Sequence, residues 1–473
     1  MYRAALCAVL LVLAGCQAPG VGEGPTATET GVDAGTSESD AGTPADPESD
    51  VLGWEDGYWH NESLSITTAD GLNESEREKA VARSMARVER VRGLEFRESV
   101  SVEVITRAEY RNESGRNHTE TFRRFDNAKF EAMFLVGEDE DSIATQERSL
   151  GQSVLGYYDP AEEAIVIVSD SETPRLDGEG TLAHELVHAL QDQHYDLSDD
   201  DAATRDAYQG RNGLIEGDAS FTQRRYTERC GAAWECLPAA SDGGGGGDSH
   251  FGLNFLMYFP YGDGGQFVAA LHDEGGWERV NDAYDEHPDG STEVIYPDRY
   301  SEWEPEAVTI DDGAGGDWER VQPADRPDHA VLGQSAIAAG LAYTVADEYN
   351  DSGVVGPRQI INYRGDGSVD RSDPYNYDLP AADGWAGGRL HVYERGDESA
   401  YVWKTVWTNE SEAAEFAAEW GDVVEHWGGE RVDDGVWVIE DGPHEDAVEI
   451  RRDGDAVTVV NAPTRSDLEG VHA

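Results

Sequence analysis

Residues 181–190 read Thr-Leu-Ala-His-Glu-Leu-Val-His-Ala-Leu, and within them lies His184-Glu185-Leu186-Val187-His188. On a helix, positions i and i+4 stand one turn apart on the same face. Two imidazoles so placed can hold one tetrahedral Zn²⁺, with Zn–N distances of about 2.0–2.1 Å. Glu185 follows the first imidazole by one position, a rotation of roughly 100°. Its carboxylate therefore stands beside the metal, where it can take a proton from a water. Leu182, Leu186, Val187 and Leu190 give the helix a surface to bury, and Thr181 stands where a cap could be. The plainer reading of the same residues is a pair of solvated or hydrogen-bonded histidines on an ordinary helix.

A third ligand has to come from another segment. Residues 213–226 (GLIEGDASFTQRRY) supply Glu216, 28 residues after His188. A carboxylate between Leu214-Ile215 and Gly217 is costly to turn toward a core unless it meets a positive charge. Two neutral histidines and one carboxylate leave a fourth zinc position open to water, as in metalloproteases. Asp218 and Ser220 are candidates for the hydrogen bonds that orient His184 or His188. The alternative for Glu216 is a surface acid in an acid-rich chain.

That chain has 473 residues, 35 Lys+Arg and 97 Asp+Glu, for a formal net charge of −62. Nucleic acid is excluded as a partner, because no basic patch is available to neutralise phosphates. Aromatics at 9%, including 12 Trp and 20 Tyr, exclude a disordered acidic polymer. Self-repulsion at this charge weakens the compact state at ordinary ionic strength. At molar salt the Debye length falls to roughly 3 Å and screens it. The acid excess runs through the whole chain, which predicts hypersaline surroundings.

Residues 1–16 read as targeting sequence: Arg3, then the short apolar run 4–14, then Leu13-Ala14-Gly15-Cys16. The ending resembles the lipobox of exported lipoproteins, in which Cys16 becomes the lipid-bearing N-terminus; a plain secretory signal is the alternative. This is the only membrane association expected. Residues 17–50 are Gly, Ser, Thr, Pro and acid, a flexible linker with a reach of roughly 30 Å. Asn-x-Ser/Thr triplets begin at Asn61, Asn73, Asn112, Asn117, Asn350 and Asn409, and in an exported chain each is a candidate glycan site. Outside the first sixteen residues only Cys230 and Cys236 remain, and they are expected to form one local disulfide.

Periodicity predicts a helix over 74–92, capped by Asn73, and strands over 100–106 and 163–168, the latter entered through a Gly156–Pro160 turn. Gly/Asp-rich breaks stand at 241–248 and 311–317. Beyond them, an apolar helix is expected over 330–349, strands near 389–394, 400–407 and 436–440, and a helix over 410–420. Trp385, Trp403, Trp407, Trp420 and Trp427 are expected to pack a core rather than form a sugar platform. His194 and His250 are expected to be structural or solvated. The fold class is α+β: a mixed sheet above the His-Glu-x-x-His helix, a helical second half carrying Glu216, and a C-terminal region of strands and helices.

HELVHALQDQHYDL, with NGLIEGDAS downstream, resembles the gluzincin group of zinc metallopeptidases, and more closely a family of exported haloarchaeal surface proteins with a gluzincin-type site. The resemblance extends to Val91–Leu94, the Gly156–Pro160 turn, Phe259-Pro260-Tyr261, Gly275–Trp277, Pro288–Glu293 and Gly384–Gly388. It implies a zincin-like domain over 51–317 with a C-terminal α+β region, 318–473, packed on it. It also implies zinc on His184, His188 and Glu216, Glu185 as general base, and the strand near Ile165 as the edge that aligns a peptide substrate. Relatives tend to have His in the segment after Ser-Thr-Glu where this chain has Tyr296, which could then donate to the developing oxyanion.

The expected function is a lipid-anchored cell-surface zinc endopeptidase. Two alternatives remain: a non-catalytic zinc-containing surface glycoprotein with a binding or envelope role, and a solute-binding lipoprotein, which leaves the motif unexplained.

Overall fold

The computed structural model describes residues 45–472 except 115–117, 152–153, 172, 176–177, 199–201, 239–249, 312, 325, 348 and 350–352. The targeting segment with Cys16, most of the linker, Asn117, Asn350 and the 241–248 break lie outside the described residues. Among the described residues the fold is mixed α+β, with three sheets.

The chain opens with a short antiparallel pair, β1 (Trp54–Glu55) and β2 (Tyr58–Trp59), and then α1 (Glu74–Arg92). Asn73 caps α1 by accepting from Glu76 N at 3.1 Å, while the Glu76 carboxylate accepts from Asn73 N at 3.0 Å. Gly93, at φ 76°, ends the helix in the left-handed region that glycine tolerates. Next come β3 (Ser101–Ile105), α2 (Arg107–Ser114), α3 (Glu120–Glu131), α4 (Ser142–Gly151), β4 (Gly156–Asp159) and β5 (Ala164–Val168). The motif helix is α5 (Glu179–Tyr195); its cap is Gly178, so Thr181 lies inside the first turn. It is followed by α6 (Arg205–Thr227), α7 (Phe251–Asp282, broken at Gly276) and α8 (Ser291–Ile295).

β3, β5 and β4 form one sheet in that order, β5 parallel to β3 and antiparallel to β4. The strand around Ile165 is therefore central, contrary to the sequence expectation. Its five residues are all buried, as a strand covered on both faces requires. The supposed turn at 156–160 contains β4, an edge strand.

The C-terminal region adds β6 (Glu319–Arg320), α9 (Gln334–Tyr343), β7 (Trp385–Arg395), β8 (Glu398–Trp407), α10 (Glu410–His426), β9 (Gly429–Asp433), β10 (Val436–Ile439), β11 (Ala447–Asp453), β12 (Ala456–Ala462) and α11 (Leu468–Val471). Its seven strands make one antiparallel sheet in the order β6-β7-β8-β12-β11-β10-β9. Along β8 the period of two is plain: Tyr401, Trp403 and Trp407 enter the main core, while Ala400 and Val402 enter a smaller cluster on the other face. All five tryptophans considered above are buried. The helix expected over 330–349 is confined to α9, because Gly333 at φ 82° starts it and the chain turns after Tyr343. The main core joins Phe125 of α3, Leu214 of α6 and Phe255 of α7 to Ile337, Trp403 and Val459, so the C-terminal sheet and the preceding helices share one interior.

Cys230 and Cys236 are joined by a disulfide. His194 bonds the Glu95 carbonyl at 2.9 Å, and His250 Nδ1 accepts from Leu253 N at 3.1 Å, capping α7. Asn61, Asn73, Asn112 and Asn409 are exposed. Among the described residues, no helix is long and apolar enough to cross a membrane.

Glu55 and Glu89 are buried side by side. Burial raises Glu89 to about 7, against the bonds it accepts from Gly53 N at 2.6 Å and Phe96 N at 2.8 Å, which favour its anion. Burial, and then the Glu89 charge, push Glu55 up to about 9 from an ordinary 4.5. The folded state thus keeps a proton that the unfolded chain releases above that ordinary value. The resulting stabilisation is fully present below the unfolded pKa and is lost as pH rises toward the folded one. Glu55→Gln should flatten the loss of stability between about pH 4.5 and about pH 9 in denaturant titrations. Parallel pH curves for variant and wild type would refute the protonated pair.

Candidate metal centre

α5 and α6 bring His184, His188 and Glu216 together, each about 1% exposed. His184 Nε2 stands 3.2 Å and His188 Nε2 3.4 Å from Glu216 Oε2. One ligand atom of each residue lies within 4.8 Å of the others. A tetrahedral ion with ligand distances of about 2.0–2.1 Å sets its ligand atoms about 3.3 Å apart. The donor set and its spacing therefore fit such an ion.

The tautomers are fixed from behind. Gln191 Nε2 donates to the Ile215 carbonyl at 2.9 Å, which turns Gln191 Oε1 toward His188 Nδ1 at 2.8 Å. Nδ1 must then carry a proton, so Nε2, which faces Glu216, is the nitrogen available to bind an ion once its own proton is displaced. His184 Nδ1 is matched in the same way by Gln223 Oε1 at 3.2 Å. These two glutamines do what the sequence reading assigned to Asp218 and Ser220. Asp218 is two positions from Glu216, about 200° around the helix. It faces away, binding Arg92 Nε at 2.9 Å and Tyr284 OH at 2.8 Å. Ser220 shares the Glu216 face, where a Cβ added to Gly265 of α7 would lie 3.8 Å from it, while the imidazole Nδ1 atoms bond the two glutamines. Spacing could have found both glutamines, since each follows a ligand by three or seven positions on the same helical face.

Glu185 is 3% exposed. One carboxylate oxygen accepts from Tyr158 N of β4 at 2.9 Å; the other is buried without a hydrogen-bond partner, as is His188 Nε2. Burial pushes Glu185 up to about 8, with His188 opposing and Glu216 assisting. Burial also disfavours charge on the cluster. Against it, Glu216 pushes His188 up to about 9, and the histidines hold Glu216 down at about 2. His184 is lowered by burial. Without a cation, the cluster thus shares a proton where a metal ion would supply the positive charge.

Tyr296 is not brought to this site. Its hydroxyl donates to Asp378 at 2.5 Å and accepts from Gln334 Nε2 at 3.1 Å, and the Arg299 guanidinium covers its ring at 4.0 Å. Tyr261 of α7 is there instead. Its ring stacks on His184 with centroids 6.0 Å apart, and its hydroxyl bonds Glu216; burial and then the Glu216 charge push that hydroxyl well above its usual range. Nothing in local spacing marks Tyr261, because the chain returns to the site only through the crossing of α7 over α6. At that crossing the backbones touch: a Cβ on Gly217 would meet Gly264 O at 2.2 Å, and one on Gly264 would meet Gly213 O at 2.4 Å.

The start of α5 is anchored by a buried network. Glu179 accepts from Arg83 at 2.7 Å, from Arg87 and Tyr226, and from Leu237 N at 2.7 Å. It therefore joins α1, α5, α6 and the disulfide loop.

Residues 319–472 match the model of a protein family described as a domain of unknown function (DUF8575). No curated protein and no solved structure matches the chain. The matched region contains Asp378 and Gln334, the partners of Tyr296, while His184, His188 and Glu216 precede it.

Gly217→Ala should force α6 and α7 apart and destabilise the protein by about 1–3 kcal/mol, whereas Gly231→Ala, with nothing within 4 Å of its added methyl, tests only the cost of its positive φ. Equal denaturation midpoints for wild type and Gly217→Ala would remove the close crossing from the account.

Proposed function

We propose that this chain is a zinc-dependent endopeptidase that hydrolyses peptide bonds in protein substrates at the cell surface. The observation that carries the reading is the Glu185 carboxylate: held by Tyr158 N–H on one oxygen, unpartnered on the other, and beside three residues spaced as metal ligands. Zinc on His184, His188 and Glu216 would supply a Lewis acid that makes a water more acidic and polarises a carbonyl.

The chain's own residues then account for the proton transfers. Glu185 takes a proton from the water as its oxygen adds to the carbonyl carbon. It passes that proton to the amide nitrogen as the C–N bond breaks, leaving a carboxyl and an amine. The Tyr158 N–H keeps the carboxylate aimed while it changes charge. Tyr261 is the residue placed to donate to the developing oxyanion, the role that the sequence reading gave to Tyr296. β4 is the sheet edge next to Glu185, which makes it, rather than β5, the strand on which an extended substrate would align. Zincin-like architecture over 51–317 and a surface location through a lipid on Cys16 belong to the same proposal, the latter resting on the sequence of residues 1–16 alone.

Hydrolysis of a denatured protein in molar KCl tests the reading. Zinc-loaded wild type should cleave it and a chelator should stop it; Glu185→Gln should keep zinc and lose about 10²–10⁴-fold in rate. Tyr261→Phe should lower kcat by about 10²–10³-fold, and Tyr296→Phe should leave it nearly unchanged. Gln191→Leu should weaken zinc binding by about 10–100-fold. Folded, zinc-loaded wild type that cleaves nothing across a broad peptide library would favour a non-catalytic surface protein.

A further inference from the structure

Tyr158 of β4 is attached to α5 at both of its ends. Its backbone N–H donates to Glu185 Oε2 at 2.9 Å, and its hydroxyl donates to Asp192 Oδ2 at 2.8 Å. Glu185 and Asp192 are seven positions apart in sequence. They therefore share one face of the helix, about 10 Å apart along its axis. The side chain of Tyr158, buried between strand and helix, spans the two turns that carry Glu185 and His188. Asp192 also continues the row of His184 and His188 at four-residue steps.

Asp192 is itself fixed. Its Oδ1 accepts from Leu197 N at 2.8 Å, just beyond α5, and its carbonyl accepts from Asp196 N at 2.9 Å. That leaves Oδ2 to hold the hydroxyl. Burial, and then the bond to Asp192, push the Tyr158 hydroxyl well above its usual range, so it stays a donor. β4 is the edge strand of its sheet, laddered to β5 on one side. Leu155 O accepts from Val168 N at 2.9 Å, so in an antiparallel ladder Tyr157 and Asp159 also turn their backbone groups toward β5. Tyr158 turns its N–H the other way, to the free edge, where Glu185 meets it.

We propose that Asp192 is a positioning residue for Glu185. Through the Tyr158 hydroxyl it sets the height of β4 along α5, and with it the point at which the Tyr158 N–H holds the Glu185 carboxylate. One tyrosine thereby couples the far end of the motif helix to the general base. A displacement of about 1 Å at a reacting group can cost about 10²-fold in rate, so the hydroxyl bond acts on turnover although it lies two turns from the proton transfer. The effect on rate rests on the peptidase reading, while the hold on Glu185 does not.

The test compares Tyr158→Phe, which keeps the ring and the backbone N–H, with Asp192→Ala and the double variant, all as the zinc-loaded full chain in molar KCl. Each single variant should lose about 10–100-fold in kcat, with KM within about twofold and zinc content unchanged. The double variant should lose no more than either single one, because all three cut the same bond. Asp192→Asn, whose amide can still bond the hydroxyl, should restore most of the rate. Hydrogen exchange at the Tyr158 amide gives a second readout: about tenfold faster in both single variants and slow in Asp192→Asn. Faster exchange in both single variants supports the hold on Glu185 even if no form cleaves a peptide, which separates it from the peptidase reading. Unchanged exchange in Tyr158→Phe would overturn the proposal, as would additive losses in the double variant or a raised KM at constant kcat.

Discussion

The backbone of α6 touches the backbone of α7 at Gly213, Gly217 and Gly264, and the metal centre depends on that contact. Side chains at the crossing would hold the two helices apart. With them absent, Tyr261 on α7 reaches both the carboxylate of Glu216 and the face of His184. Such close approach leaves no slack, so the position of one ligand is set by how tightly two helices can pack.

Around this crossing, polar groups are buried in an order that gives each a partner. Gln191 and Gln223 fix the imidazoles, Arg92 holds Asp218 on the opposite side of α6, and Glu179 gathers two arginines and a tyrosine at the base of α5. Among the exceptions, Arg83 Nε and the two terminal nitrogens of Arg92 lie away from the metal centre, Glu216 Oε1 lies in it, and Glu185 Oε1 and His188 Nε2 point to the place where chemistry is proposed. Most of the network is satisfied from outside that place, so the two groups are left available inside a rigid frame.

What could be read from the sequence was local. The four-residue step between His184 and His188, the apolar flanks of Glu216, the Asn73 cap and the alternation in β8 all act within a turn or two of chain. α7 was not legible, because Pro260, Gly262, Gly264 and Gly265 read as helix breakers; the small size of Gly264 serves the contact with α6, which lies about 50 residues earlier in sequence. Tyr261 was hidden for the same reason. Asp218 was misassigned by ignoring helical rotation, since the buried cation that claims it lies on α1, 126 residues away. β5 was placed at an edge by the resemblance alone; its apolar run says only that it is buried, and the partner on each side comes from elsewhere in the chain.

The burial of Arg83, Arg87 and Arg92 inside α1 also constrains the order in which the chain can acquire structure. Their counter-charges are Glu179 and Asp218, roughly a hundred residues later. A nascent chain emerges N-terminus first, so α1 has no means of neutralising its cations until the stretch through Tyr226 has also emerged. Until then its packed state is penalised by three uncompensated charges. Docking of α1 therefore waits for α5 and α6, and its three cations are neutralised only as those helices arrive.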